Sequence, residues 1–306
     1  MKTRHLLLIF IICFIMSLFS CQKELTNNDG AVTRVDSIGI GTGGGNAAGV
    51  DSNYLDKIIV VDSNAVGIDS GYYLFNYDNL KRIKNIDIKS FNTTGNNFDT
   101  AVINFYYNAN DTLPYKVLTT IELGEYYFTY NNAGKLIKDS VIQRDPSNPV
   151  TNYSIRVNNY SFGNNEIYVN SNKAVYIANV SLYNFNDTLR LDAFGNVTMA
   201  NYYSNASGIM YFSQNVTASF DNKISPYKKV KGWSVFLFSY NDYYDGFSIG
   251  FPSINNPVVI AKTNYTGNTV TQNFVNSYYP NGFLKRYKMT NSNGFNEEQR
   301  FFYKAL

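Results

Sequence analysis

From Leu55 to the C-terminus, apolar and polar side chains alternate in short runs separated by clusters of Asn, Asp and Gly. A period of two puts successive side chains on opposite faces of a strand. Lys57–Val61, Tyr72–Tyr77, Arg82–Ile88, Ala101–Tyr107, Val117–Ile121, Tyr126–Tyr130 and Leu136–Ile142 read as strands on this basis. So do Tyr153–Val157, Ala174–Phe185, Val197–Tyr203, Ile209–Phe220, Val258–Thr263, Val270–Tyr279, Phe283–Met289 and Arg300–Tyr303. Helices do not alternate with them, which argues against a parallel sheet. One segment breaks the pattern: Lys231–Gly246, KGWSVFLFSYNDYYDG, reads as a short helix or an irregular excursion.

Four stretches share a plan: Phe75–Ile83, Phe128–Leu136, Leu191–Val197 and Tyr278–Arg286. An aromatic strand end meets a polar turn, usually with Gly near its close, and a second strand opens on a basic or polar residue and an apolar one. Asn and Gly accept the positive φ that a tight hairpin needs. A lone hairpin is marginal in water, so neighbours must join edge to edge. The predicted fold is all-β: a large twisted antiparallel sheet of consecutive hairpins, a meander able to curl toward a half-barrel, with little helix. The spacings Gly134 to Gly195 to Gly282 are unequal, which argues against propeller blades or a strict solenoid.

Composition agrees with strands. The chain has 306 residues, 27 of them Tyr and 22 Phe. Charged residues are only 16%, below the usual quarter or so, so the polar surface must be built from Asn, Ser, Thr and Tyr.

The N-terminus changes the picture. Lys2, Arg4 and His5 precede an apolar run, Leu6–Phe19, too short for an ordinary membrane-spanning helix. The pattern predicts a signal peptide over 1–20. Leu18-Phe19-Ser20-Cys21 resembles a bacterial lipobox, which implies lipidation of Cys21. Residues 21–54 read as a lipidated N-terminus and a flexible Gly/Asn-rich tether, and 55–306 as a single β-rich domain. The tether's Gly39, Gly41 and Gly44 match G-x-G-x-x-G, but the buried strand before and the helix after that a dinucleotide site requires are missing from the pattern. Cleavage before Cys21 removes Lys2 and Arg4 from the 26 basic residues, leaving 24 against 23 acidic. That balance gives nucleic acid no electrostatic footing.

Absent residue types exclude more. His5 is the sole histidine, and Cys13 and Cys21 the two cysteines. A chain processed at Cys21 therefore has no Ser-His-Asp triad, Cys-His pair or His- or Cys-ligated metal. Carboxylate chemistry remains, as does an oxygen-ligated Ca²⁺. No cofactor is expected.

The hairpin plan resembles the YD (RHS-type) repeat. With Phe220–Lys228, Asn255–Ile260 and Tyr279–Arg286 in that order behind a lipobox, the chain is similar to a family of uncharacterised Bacteroidota lipoproteins with YD-like segments. The resemblance implies a twisted antiparallel sheet and no catalytic residues. Gln22-Lys23-Glu24 resembles a short signal for the outer face of the outer membrane, which implies a surface-exposed lipoprotein, or else one facing the periplasm. Asp36-Ser37-Ile38, Asp99-Thr100-Ala101, Asp111-Thr112-Leu113, Asp139-Ser140-Val141 and Asp187-Thr188-Leu189 resemble an O-glycosylation acceptor motif of exported proteins.

Candidate ligand-binding residues sit in the segment outside the repeats: Trp233, Asp242, Tyr243, Tyr244 and Asp245. Aromatic faces there could stack on sugar rings while carboxylates bind hydroxyls; a solvated loop with ordinary aromatics is the plainer reading. The expected function is a non-catalytic binding or structural β-module of the cell envelope. Its partners are the membrane, through Cys21, and a glycan or another envelope protein. A glycan-binding module of a polysaccharide-capture system is the alternative, and a carboxylate glycosidase comes third.

Overall fold

The computed structural model describes residues 54–306 except 65–66, 93–96, 178, 207–208 and 241–252. Cys21, the tether, Asp242, Tyr243, Tyr244 and Asp245 therefore lie outside the described residues. Sixteen strands follow one another: β1 (Tyr54–Asn64), β2 (Gly67–Tyr77), β3 (Ile83–Asn92), β4 (Asn97–Tyr106), β5 (Lys116–Thr119), β6 (Gly124–Tyr130), β7 (Leu136–Arg144) and β8 (Tyr153–Gly163). After them come β9 (Glu166–Ile177), β10 (Asn179–Leu191), β11 (Val197–Ala206), β12 (Ile209–Ile224), β13 (Asn255–Asn264), β14 (Thr269–Tyr278), β15 (Leu284–Asn291) and β16 (Asn296–Lys304).

Each strand pairs antiparallel with its neighbours in sequence, and β1 pairs with β16, from Tyr54 opposite Lys304 to Ser63 opposite Asn296. The meander is therefore all-β, as expected, and curls further than a half-barrel: it closes. Closure removes both free edges. With an even number of strands, the chain enters at Tyr54 and leaves at Lys304 on one end, here the near end. The run Ala174–Phe185, expected as one strand, is instead a hairpin between β9 and β10.

The four recurring turns follow β2, β6, β10 and β14. Unequal in residues, they are equal in strands: one occurs at every fourth strand, always at the near end. In the first three, the residue that opens the turn caps it. Asn131 Oδ1 accepts from the Ala133 and Lys135 amides, both at 3.0 Å. Asp78 does the same for Leu80 and Arg82, and Asp192 for Phe194 and Asn196. Such capping satisfies turn amides that have no ladder partner. Gly134, at φ +73°, takes the left-handed position in its turn; Lys81 does so at φ 62° in the turn that lacks glycine.

Inward side chains form the core, among them Ile58, Phe75, Ile86, Ile103, Val117, Tyr126, Tyr287 and Phe301. Sixteen strands enclose more space than wall side chains fill, and sixteen-stranded porins leave an aqueous channel. Here the described part of the β12–β13 connection, residues 226–240, turns inward and packs within that space. Pro226–Lys229 makes a 3₁₀ turn, and α1 (Lys231–Tyr240) follows. A surface helix would carry an apolar stripe; this one, GWSVFLF, is apolar nearly all round in sequence, with Trp233 and Phe236 buried and Val235 and Leu237 half-buried.

Two rings anchor the plug. Trp233 packs edge-on against Phe75, with centroids 5.9 Å apart, and stacks on Phe236 at 5.5 Å. Phe236 meets Tyr126 at 5.0 Å and Phe105 at 6.1 Å, both edge-on. Gly232 lets the helix approach the wall, since a Cβ there would lie 2.7 Å from the Tyr107 hydroxyl and 3.4 Å from Phe105 Cδ1. Truncating Phe236, 1% exposed, to Ala is expected to cost about 3–5 kcal/mol. Urea unfolding checks this; a cost below 1 kcal/mol would mean the plug does not hold the barrel.

Candidate functional site

The structure offers two surfaces on which chemistry could occur: the lumen and the outer wall. In the lumen, apolar rows are interrupted by two polar clusters. The first spans β7 to β9. Asp139 accepts from Asn158 Nδ2 at 2.9 Å and from the Tyr160 hydroxyl, and Ser171 donates to Asn158 Oδ1. All four side chains are buried, and burial demands this mutual satisfaction.

The second cluster ties the plug to the wall. Glu297 accepts from the Tyr287 hydroxyl and from Gln299 Nε2 at 2.8 Å. Gln299 Oε1 in turn accepts from the hydroxyl of Tyr227, on the plug's 3₁₀ turn, at 3.1 Å. Register sets Asp62 directly opposite Glu297, and the two are 1% and 2% exposed. Glu297 Oε2 has no hydrogen-bond partner among the described residues. Burial disfavours its charged form and pushes its carboxyl up to about 7, against the hydrogen bonds from Tyr287 and Gln299. Among the described residues, no three His, Cys, Asp or Glu side chains are placed to hold a metal.

The outer wall has the opposite character. Glu298 on β16 pairs with Arg300 at 2.6 Å, Lys288 at 3.5 Å and Arg286 at 3.9 Å, all pointing outward at the middle of β15 and β16. Asp87, central on β3, accepts from Asn76 at 2.9 Å and Asn85 at 3.0 Å. Across β8 to β12 the outward positions carry amides: Asn170 donates to Asn186 at 2.6 Å and Asn215 to Asn201 at 2.7 Å.

Of the expected ligand-binding residues, Trp233 alone falls within the described residues. Its indole is 5% exposed and enclosed by Tyr73, Phe75 and Phe236. It packs the core rather than presenting a face to solvent. Two of the resembling acceptor tripeptides contain buried acids: Asp139, and Asp187, which accepts from the Tyr203 amide at 3.1 Å. From sequence, Glu297-Glu298 beside Arg300 reads as an exposed turn and strand start, and Asp62 draws no notice; Glu297 is instead buried in the lumen, because its strand position points inward. Each sits at an inward position of an alternating strand, the one signal that could have singled them out. A surface hollow of about 380 Å³ at the far end is lined by Ile142, Arg144, Pro149, Val150, Tyr153 and Ile155; it holds no carboxylate.

No family model and no curated protein matches the chain. Solved structures do. A porin-like protein from Bacteroides vulgatus is similar at TM-score 0.54 and 12% identity, over 83% of this chain and 100% of that one. The fold is that of a porin-like barrel. A second porin-like protein, from Bacteroides uniformis, is similar at TM-score 0.50 and 12% identity, over 83% of this chain and 99% of that one.

The buried acid sets a pH dependence. With its folded value raised above the ordinary 4.5, Glu297 contributes stability fully present below about 4.5 and lost as pH rises through about 7. Unfolding free energy is expected to fall by up to about 3 kcal/mol between pH 5 and 8. Glu297→Gln should flatten that decline, measured by denaturant titration at each pH; an equal decline in the variant would assign it to another group.

Proposed function

We propose that this chain is a lipid-tethered, non-catalytic binding module whose barrel stands in water beside the outer membrane rather than across it. The observation that carries this reading is the polarity of the wall. A membrane barrel is apolar outside and polar within. This barrel carries the Glu298–Arg300–Lys288 cluster at mid-strand outside and Phe75, Tyr126, Trp233 and Phe301 within. At a bilayer midplane each Arg or Lys on the lipid face would cost about 2–4 kcal/mol. Trp233 and Phe236, packed against Phe75 and Tyr126 inside the barrel, also speak against a pore there. Membrane attachment then falls to the acyl chains implied for Cys21, at about 0.8 kcal/mol per buried methylene.

A non-catalytic role is supported by the setting of the carboxylates. A glycosidase needs two of them across an accessible cleft, about 5–10 Å apart. Asp62, Asp139, Asp187 and Glu297 are enclosed in the wall. On the outer wall Glu298 is occupied by Arg300 and Lys288, and Asp87 by Asn76 and Asn85.

One experiment separates a tethered barrel from a spanning one. Cys21→Ala should move the folded protein from the membrane fraction to the soluble fraction. Retention of the variant in membranes after alkaline carbonate washing would contradict the proposal.

A further inference from the structure

The outer wall of β7 to β12 differs in chemistry from the charged wall of β15 and β16. Antiparallel register aligns its outward side chains in cross-strand rows. One row runs Lys138, Asn159, Asn170, Asn186, Tyr203. The next, toward the near end, runs Ser161, Tyr168, Thr188, Asn201, Asn215, Thr263. The rows lie about 7 Å apart and the strands about 4.8 Å, so the face extends about 24 Å across the strands. Its amides are ordered by one another: Asn172 donates to Asn170 at 3.3 Å, and Asn170 to Asn186.

Aromatic side chains belong to the same face. Tyr168 is 43% exposed, and its ring lies over Gly163, where a Cβ would stand 3.2 Å from Tyr168 Cε2. Its hydroxyl donates to Glu166. The ring is thus held with area open to solvent. Toward the far end, Tyr153 and Tyr176 stack with centroids 4.4 Å apart at 16°.

We infer that this amide and tyrosine face of β7–β12 binds a neutral polysaccharide. Each Asn amide carries two donors and an acceptor oxygen with two lone pairs, so Asn170, which donates once and accepts once, keeps a donor and a lone pair for a hydroxyl of either sense. Tyrosine rings supply the apolar area that the faces of a sugar ring can cover. Charge selects against other occupants. The cations at the margin are Lys138, Arg190, which Glu166 engages at 3.0 Å, and Arg144, which Glu125 engages at 3.2 Å. Nucleic acid and acidic glycans need a field of cations. A lipid surface needs an apolar band, and the core of a protein interface is more apolar than rows of amides. The inference rests on the barrel standing in water, because a lipid-covered wall would be closed to a polysaccharide.

Affinity electrophoresis tests it on the mature lipidated chain in detergent. The gels contain a β-glucan, xylan, mannan or galactan, with polygalacturonate and alginate as acidic counterparts. Retardation is expected in at least one neutral gel. The triple variant Tyr168→Ala/Asn170→Ala/Asn186→Ala should weaken it about ten-fold or more, with an unchanged melting curve. Tyr72→Ala, on the outward side of β2, should leave it intact. Asn170→Asp alone, should the triple variant melt early, is expected to lower retardation in the same gel. No retardation in any neutral gel, retardation confined to acidic gels, or retardation that these face variants leave unchanged would overturn the inference. Loss of neutral binding while Cys21→Ala is still released from membranes would overturn this surface and leave the tethered barrel standing. Retention of Cys21→Ala in membranes would overturn both.

Discussion

Each strand alternates, with apolar side chains such as Phe75, Ile86, Tyr126 and Phe301 turned inward. A sheet with one apolar face must cover it, and a single meander can do so by closing on itself. Closure solves the edge problem and creates another, since sixteen strands surround a lumen too wide for their own side chains. Residues 226–240, between β12 and β13, pack into it. Trp233 and Phe236 fill the space, Gly232 lets the helix approach the wall, and Tyr227 fixes the 3₁₀ turn to Gln299. The same constraint leaves the outer row free to be polar, and the functional reading follows from that row.

The hairpins were legible because their chemistry is local. Asn131 and Gly134 announce a turn whatever the strands later do. Closure was not legible: alternation tells a strand which face is apolar, but not how many strands complete a circle. Nor was the four-strand recurrence of the capped turns, because the near-end connections between them differ in length. The loop from Tyr107 to Tyr115 is short, whereas the passage from Ser225 to Ile254 holds the plug. Ala174–Phe185 read as one strand because the residues where β9 gives way to β10 carry no Gly or Pro.

Trp233 shows why composition misleads about sites. A tryptophan beside tyrosines and aspartates suggests a sugar platform, yet a lumen that must be filled claims the largest side chain available. The polar lumen residues were hidden for the converse reason. Asp62 and Glu297 sit among ordinary β-strand residues, and pairing across β1 and β16, the last contact in sequence terms, brings them together. Glu297, its carboxyl pushed up by burial, is hydrogen-bonded through Gln299 to Tyr227 of the plug.

The proposed tethered barrel has its outer wall in water. A chain processed at Cys21 has no free thiol, so one introduced cysteine reports on one position. Lys288→Cys places it at mid-strand on β15, pointing outward. In the membrane-attached protein, a water-soluble charged maleimide should label this cysteine as completely as it labels detergent-solubilised protein. Protection of Lys288→Cys in membranes, relieved by detergent, would put that wall in lipid and refute the tethered barrel.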